Sequence, residues 1–453
     1  MHTHMDASPS TTTARTPSTK LPPGPRLPIP VQTALWVLRP VSTMRRWHER
    51  YGDVFTIKLP FNGDVVQVAD PALLKAIFSA KPDDARAGEA NSILAPVLGA
   101  SSLLLLDGRE HLRQRKLLLP PFHGERMQRY ADTITAITEQ ELARWPVGTP
   151  FALRPAMQRI TLDVILRAVF GMEEGPHLEE LRPLVRDLID VTRNRLAVMP
   201  WFRFDLGPRS PWGRFLRQRA RVDELLYELI RRRQADPHVA DRDDVLSMLV
   251  QARDENGEAM TPQELRDELV TLLLAGHETT ATSLAWCFNL LLTHPHELRS
   301  LRDDLDAGST TRLDAVIKET MRLRPVVSIV ARTLHAPLQV GEWSLPAGVV
   351  VAPNIELVHH RADIYPEPER FLPGRFVDKQ AETYEWLPFG GGTRRCIGAS
   401  FAIFEMRQVI PVVLQRAAGL RLVEQSMDAV RRQAVVMVPE RGVRVVLEPA
   451  AAS

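Results

Sequence analysis

The 453-residue chain has two thiols, Cys287 and Cys396, and they sit in opposite settings. Cys396 lies in Phe389-Gly390-Gly391-Gly392-Thr393-Arg394-Arg395-Cys396-Ile397-Gly398. Glycines let the backbone turn tightly and let a flat ligand approach. Two adjacent arginines favour thiolate over thiol and can bind anions. A long helical pattern begins just after Gly398, and a helix N-terminus also favours an anion. This is a site for a thiolate that holds a metal cofactor from one side. Cys287, in Ala285-Trp286-Cys287, falls in an apolar helical run and reads as a small buried hydrophobe. Two cysteines cannot form a disulfide framework, a four-cysteine zinc site or a four-cysteine iron–sulfur cluster. Their scarcity points to a reducing, cytoplasmic setting.

Three further groups could do chemistry. Ala275-Gly276-His277-Glu278-Thr279-Thr280 interrupts a long apolar helix. A glycine inside a helix costs about 1 kcal/mol relative to alanine, and a buried glutamate needs a partner or a task. Thr279 can hydrogen-bond back to a carbonyl and bend the helix. Glu319-Thr320-Met321-Arg322 places two opposite charges on one helix face. The stretch 108–116 is basic and helical in composition. At about 100° per residue, Arg109, Arg113 and Lys116 share one face, which suits a solvated surface. His111 and Arg115 share another.

The ten residues around Cys396 resemble the signature of the cytochrome P450 superfamily, the haem-thiolate monooxygenases. That signature is F-x-x-G-x-R-x-C-x-G, and Phe389, Gly392, Arg394, Cys396 and Gly398 fill it. The resemblance implies haem b (iron protoporphyrin IX) with Cys396 as the proximal iron ligand and Phe389 beside the sulfur. It implies that Gly276 is among the haem-binding residues and that Glu278 and Thr279 form the oxygen-activation site, the acid–alcohol pair facing the haem. It assigns His111, Arg115, Arg332 and Arg394 to the haem propionates and counts Gly398 among the haem-binding residues. Glu319 and Arg322 become a structural network completed by an arginine from an F-x-P-x-R-F segment. Two strings compete for that arginine. Pro368-Glu369-Arg370-Phe371 spells a familiar tetrad, but Phe371-Leu372-Pro373-Gly374-Arg375-Phe376 carries the full pattern, so Arg375 is assigned and Arg370 is not. Gly374 departs from the usual glutamate there.

The elements that must position these residues are mostly helical. Helical spacing dominates from about 105 to 330. Asn62-Gly63 between two alternating apolar runs signals a hairpin. Weaker strand regions cover roughly 332–356 and 419–447, with a Pro/Gly-rich irregular stretch at 364–398 between them. Residues 1–20 read as a disordered tail, 21–40 as a stiff proline-rich lead-in, and 41–453 as one domain. The expected fold is mainly α with small β-sheets, the triangular prism of the superfamily, with haem between the Gly276 helix and the Cys396 loop. Composition is 44% hydrophobic, with 57 basic against 55 acidic residues. A net charge of +2 gives no reason to expect nucleic acid or a membrane surface. The apolar stretch 268–292 is broken by polar residues, 31–38 is too short to span a bilayer, and no signal peptide is evident. A soluble, cytoplasmic monomer is expected.

The implied reaction inserts one oxygen atom from O2 into a small lipophilic substrate, by hydroxylation or epoxidation. Electrons would come from NAD(P)H through a separate ferredoxin or flavodoxin with its reductase, because the chain shows no dinucleotide-binding turn and too few cysteines for a cluster. The resemblance points to a pocket drawn from Ile93, Leu94, Val97 and Leu98, from Val326, Val327, Ile329 and Val330, and from Val435, Val436 and Met437. Such apolar walls suit a fatty acid, terpenoid, steroid or macrolide-like compound. Alternatives are a peroxygenase driven by H2O2, a haem isomerase or dehydratase, and a non-enzymatic haem sensor. Residues 196–210, with Met199, Trp201, Phe202 and Phe204, suggest either a lid at the pocket mouth or a loop packed on the domain.

Overall fold

The computed structural model describes residues 20–60, 62–122, 124–173, 175–193, 207, 210–377 and 381–449. The fold is organised around one helix, Pro262–Thr293, whose 32 residues span about 48 Å. Its start is specified locally. Thr261 Oγ1 accepts from the Glu264 backbone N–H at 3.1 Å, and Glu264 accepts from the Thr261 N–H at 2.7 Å, with Pro262 in the first turn. This reciprocal cap satisfies donors that a helix start otherwise leaves unpaired. Its end is set by Pro295, which pushes His294 out of helical geometry. From Thr280 to Leu292 every residue is buried. A helix apolar on all sides needs a shell. Leu153–Val164, Pro211–Gln234, Thr311–Leu323 and Ala399–Arg416 supply it, and their side chains share one core cluster with it.

The strands form small sheets to one side. Val54–Leu59 pairs antiparallel with Gly63–Val68 from Val54 opposite Val68 to Leu59 opposite Gly63, the hairpin that Asn62-Gly63 implies. Gly63 adopts a φ of 62°, which glycine does without a Cβ penalty. Gly63–Val68 runs parallel to Val350–Pro353, followed by Arg332–Leu334 and Ala85–Arg86. The sheet thus draws Arg332 toward the segment after residue 86.

The proline-rich lead-in is more than a spacer. It contains the helix Ile29–Leu38 and meets the next, Pro40–Tyr51. Gln32 is buried, donates to the carbonyls of Pro25 and Leu27 at 3.2 and 2.7 Å, and accepts from the Lys58 N–H at 2.9 Å. One amide side chain therefore bolts this segment to the first strand. The lid expectation at Met199, Trp201, Phe202 and Phe204 lies outside the described residues.

The first turns of the central helix hold the segment 98–103. Arg266 donates to the Leu98 carbonyl at 3.1 Å, Asp267 accepts from Ser101 N–H at 2.9 Å, and Glu268 accepts from Leu103 N–H at 2.8 Å. Gly99 makes the approach possible. Its φ is 92°, and a Cβ there would lie 2.2 Å from the Asp267 carboxylate. Gly99→Ala is expected to destabilise the protein by about 2 kcal/mol or more, from backbone strain plus displacement of Asp267. Gly257→Ala is the control, because Gly257 has a φ of 80° with open space around it. Thermal melts should show the larger loss for Gly99→Ala; equal losses would mean that the contact with Asp267 costs nothing.

Candidate active site

Cys396 is presented by a loop that the backbone closes on itself. Its N–H donates to the Phe389 carbonyl at 2.9 Å, Gly390 N–H to Leu387 at 2.9 Å, and Arg395 N–H to Gly392 at 3.1 Å. The glycines allow the loop to lie on the end of the helix Pro71–Phe78. A Cβ on Gly392, whose φ is 65°, would stand 2.2 Å from the Phe78 carbonyl oxygen. Gly398 caps the following helix, Ala399–Arg416. Much protein lies around the Cys396 sulfur, yet the residue keeps an exposed face. Burial raises the thiol pKa, and the Gly398 N–H, Arg115 and Arg395 only partly counter it. This corrects the expectation from adjacent charges: the arginines alone do not make the thiolate. A coordinated metal ion deprotonates a thiol outright. Cys287 is fully buried and its thiol is pushed up to about 12, as suits an inert core residue.

The loop is anchored through a buried ion network. Arg322 donates to both Glu319 oxygens at 2.7 and 2.9 Å and to the carbonyls of His359, Pro368 and Arg370. Arg375 Nε donates to Glu319 at 3.1 Å, and Leu372 N–H donates to the same oxygen at 2.9 Å. Arg370 instead pairs with Glu367 at the surface. His359 extends the network. Its Nε2 accepts from Leu387 N–H at 2.8 Å, so its Nδ1 carries the proton donated to the Arg322 carbonyl at 3.1 Å. Burial holds this imidazole neutral, well below its ordinary pKa. Trp386 donates to the Lys318 carbonyl at 3.1 Å and meets the Phe389 ring edge-on.

A second feature is cationic. His111, Arg115, Arg332 and Arg394 act on one another electrostatically. His111 is lowered to about 3 by burial and then by Arg394, Arg115 and Arg332, so it is neutral near pH 7. Its Nδ1 is buried without a partner. Burial depresses Arg332 and Arg394 to about 10. Arg394 donates to the carbonyls of Leu103 and Leu106 and to Asp107, which also accepts from Gly88 and Glu89 N–H at 2.9 and 3.0 Å. Among the described residues, the anionic groups that act on these arginines are the Asp107 carboxylate, on Arg332 and Arg394, and the Cys396 thiolate, on Arg115. The other helix face differs: Arg113 is ion-paired with Asp254 and Glu264, and exposed Lys116 with Glu255.

The central helix divides the predicted acid–alcohol pair. The Glu278 carboxylate turns into the helix Leu153–Val164, where Arg154 donates to one oxygen and Gln158 to the other, the latter at 2.7 Å. His277 turns the same way, to Thr161 at 2.9 Å. Thr279 Oγ1 donates to the Ala275 carbonyl at 2.6 Å. Ala275 is exposed and Leu272, Gly276 and Thr279 are half-buried, so this stretch carries the open side of the middle of the helix. The pair was expected to face one way, but the Glu278 carboxylate points into the neighbouring helix, away from the side on which Thr279 lies. A Cβ at Gly276 would press on Ile165 Cδ1 at 3.1 Å, so close packing is what that glycine permits.

A family model described as Cytochrome P450 matches residues 22–442. The chain belongs to the cytochrome P450 family. It is 44% identical over 441 residues to cytochrome P450 135B1 of Mycobacterium tuberculosis, covering 95% of this chain and 92% of that one. It is 39% identical over 432 residues to cytochrome P450 138 of Mycobacterium bovis, covering 95% and 97%. The structure of retinoic acid-bound cyanobacterial CYP120A1 superposes with a TM-score of 0.82 at 25% identity, covering 95% of this chain and all of that one. This cytochrome P450 is therefore a haem enzyme, an oxidoreductase of the monooxygenase class. The residues present fit haem. One thiol is exposed, and four basic side chains carry an orphaned imidazole nitrogen and more positive charge than Asp107 offsets, which suits a flat ligand with two carboxylates. Among the described residues no helix is long and apolar enough to cross a membrane.

Several residues of this site escaped sequence reading. Arg154 and Gln158 are four apart on one helix face, a visible but common spacing. Asp107 and His359 carry no local signal. Of the expected pocket residues, Leu98 is wholly inside the helical core, whereas Val435 is exposed at a hairpin tip. For the competing arginines, Arg375→Ala is expected to yield little haem-loaded soluble protein, since breaking a buried pair costs about 3–5 kcal/mol. Arg370→Ala should cost at most about 0.5 kcal/mol. Haem content and melting temperature of the two variants decide between them; the reverse ranking would remove Arg375 from the network.

Proposed function

We propose that this cytochrome P450 inserts one oxygen atom of O2 into a small lipophilic molecule, with electrons from NAD(P)H delivered by a separate ferredoxin or flavodoxin and its reductase. One observation carries the reading: the Cys396 thiol keeps an exposed face, while a basic cluster with too few acids stands ready for carboxylates. When bound, haem b supplies the binding and reductive cleavage of O2, and a thiolate ligand assists O–O cleavage. Cys396 holds the iron, with Phe389 and Gly398 shaping its surroundings. His111, Arg115, Arg332 and Arg394 bind the propionates. Glu319, Arg322 and Arg375 keep the loop in place.

Proton handling falls to the central helix. Thr279 holds a proton at Oγ1 on the open side of the helix, where it donates to the Ala275 carbonyl. Glu278 is the reservoir, and it must leave Arg154 and Gln158 before it can reload Thr279. That commitment of Glu278 is also the observation that favours the second reading, a peroxygenase using H2O2, which needs no such proton delivery. The apolar character of Val326, Val327, Ile329 and Val330 supports a lipophilic substrate, as does the retinoic acid carried by one structural relative. Residues 41–453 are read as one domain, working as a cytoplasmic monomer.

Cys396→Ser is expected to abolish both activity and the red-shifted Soret band of the reduced carbon monoxide complex, because a serine oxygen is a poor soft donor. Retention of that band would place the ligand elsewhere. Thr279→Ala should uncouple rather than stop the reaction: NAD(P)H consumption continues with a surrogate ferredoxin system, product falls and peroxide rises. Measuring all three together tests the role, and full turnover on peroxide alone would favour the second reading.

A further inference from the structure

Six arginines are buried among the described residues: Arg154, Arg233, Arg266, Arg322, Arg332 and Arg432. Removing a guanidinium from water is tolerated when an anion answers it. Four of the six have a carboxylate partner: Glu278 for Arg154, Asp244 for Arg233, Asp223 and Asp267 for Arg266, and Glu319 for Arg322. The fifth, Arg332, belongs to the cluster that fits the haem carboxylates. Arg432 is the sixth. It is 7% exposed, and its Nε and Nη2 are buried without hydrogen-bond partners. Burial alone accounts for its depressed pKa, so no acid acts on it.

The surroundings of Arg432 are built, not accidental. It lies on the strand Val430–Gln433, opposite Met437 in a hairpin with Val436–Pro439. Its guanidinium carbon stands 4.1 Å from the ring centroid of Trp36, on the helix Ile29–Leu38. The ring covers one face of the guanidinium, and the edge atoms Nε and Nη2 lie enclosed with their protons unanswered. Nε and Nη2 are the two donors that form a side-on fork, the geometry that matches a planar carboxylate. Trp36 Nε1, also buried without a partner, adds a third donor nearby.

The hairpin connects this edge to the site described above. Met437 N–H donates to the Val326 carbonyl at 2.8 Å, and Trp286 Nε1 of the central helix donates to the Met437 carbonyl at 3.2 Å. From Val326 to Arg332 the chain runs six residues, at most about 20 Å when extended. Outward, Val430 shares a strand face with Arg432, because side chains two apart point the same way. Val430 lines an open groove of about 570 Å³ together with Leu38, Arg39, Arg45, Arg46 and Glu49, where Arg45 is already paired with Glu356 and Glu369. Arg39 and Arg46 are exposed there, and a basic groove draws anions inward.

We propose that Arg432 and Trp36 form a recognition subsite for the carboxylate of a lipophilic acid, so that the substrate carries an anionic head and an apolar body. This rests on the monooxygenase reading and narrows its substrate class. The test uses the haem-loaded protein and calorimetric binding of a long-chain fatty acid, its methyl ester and its primary alcohol. The native protein should bind the acid about ten- to a hundredfold more tightly than the ester, the range expected for hydrogen bonds to a charged group. Arg432→Met should bring that ratio to about one while leaving ester affinity unchanged. Trp36→Phe keeps the stack, loses one donor and should lower the ratio several-fold. If Arg432→Met gives no folded protein, Arg432→Lys, which keeps charge but loses the fork, and Trp36→Phe carry the comparison.

Equal binding of acid and ester by the native protein, or an unchanged ratio in Arg432→Met, would overturn the subsite. So would full displacement by acetate or sulfate of an acid that binds no better than its ester, since that would mark a small-anion site. Oxidation of the same ligands with an electron donor is measured separately. Oxidised ester without any preference for acid defeats the subsite and spares the reaction; preference for acid with no oxidation of any ligand does the opposite.

Discussion

The Glu319–Arg322 pair is completely excluded from solvent, and two charges can stay there only if their remaining lone pairs and protons are used. That requirement organises the least regular part of the chain. Arg322 collects carbonyls from residues 359, 368 and 370, and Glu319 collects the Leu372 N–H and Arg375. A stretch with little helix or strand of its own thereby acquires one geometry. His359 passes the constraint onward to Leu387, three residues before the glycine run that presents Cys396. The reactive sulfur is held less by its own loop than by an ion pair on a helix that begins 85 residues earlier at Thr311.

The same rule, that a buried charge must be answered, reads the rest of the site. Where the answer is a protein carboxylate, the arginine is structural: Arg266 fastens the central helix to the 98–103 segment and to Asp223, and Arg154 fastens it to the helix beside it. Where the protein supplies too few acids, as around His111, Arg115, Arg332 and Arg394, the arrangement fits the carboxylates of haem. A single neutral imidazole within that cluster avoids adding a further positive charge.

The central helix serves two purposes at once. Its apolar C-terminal half builds the core, while its N-terminal half spends its polar side chains on neighbours. Between them lies one short open stretch, Ala275 and Thr279. Glycine at 276 lets Ile165 come close there, so the helix can approach its neighbour beside its exposed stretch.

The cysteine motif, the hairpin at Asn62-Gly63 and the preference for Arg375 over Arg370 were legible in sequence because each is encoded by residues within about ten positions of one another. The mainly helical fold with small sheets followed from periodicity for the same reason. Three matters were decided only by tertiary structure. Glu278 was expected to share the cavity with Thr279, but its direction depends on Arg154, 124 residues away. The Cys396 thiol was expected to be favoured as thiolate by adjacent arginines, but burial by distant segments outweighs them. Arg432 carried no signal at all, since its meaning lies in the absence of an acid and the presence of Trp36 near the other end of the chain. Local spacing specifies which groups neighbour one another along an element. Which charge is desolvated, and by whom it is answered, is settled only when remote parts of the chain pack together.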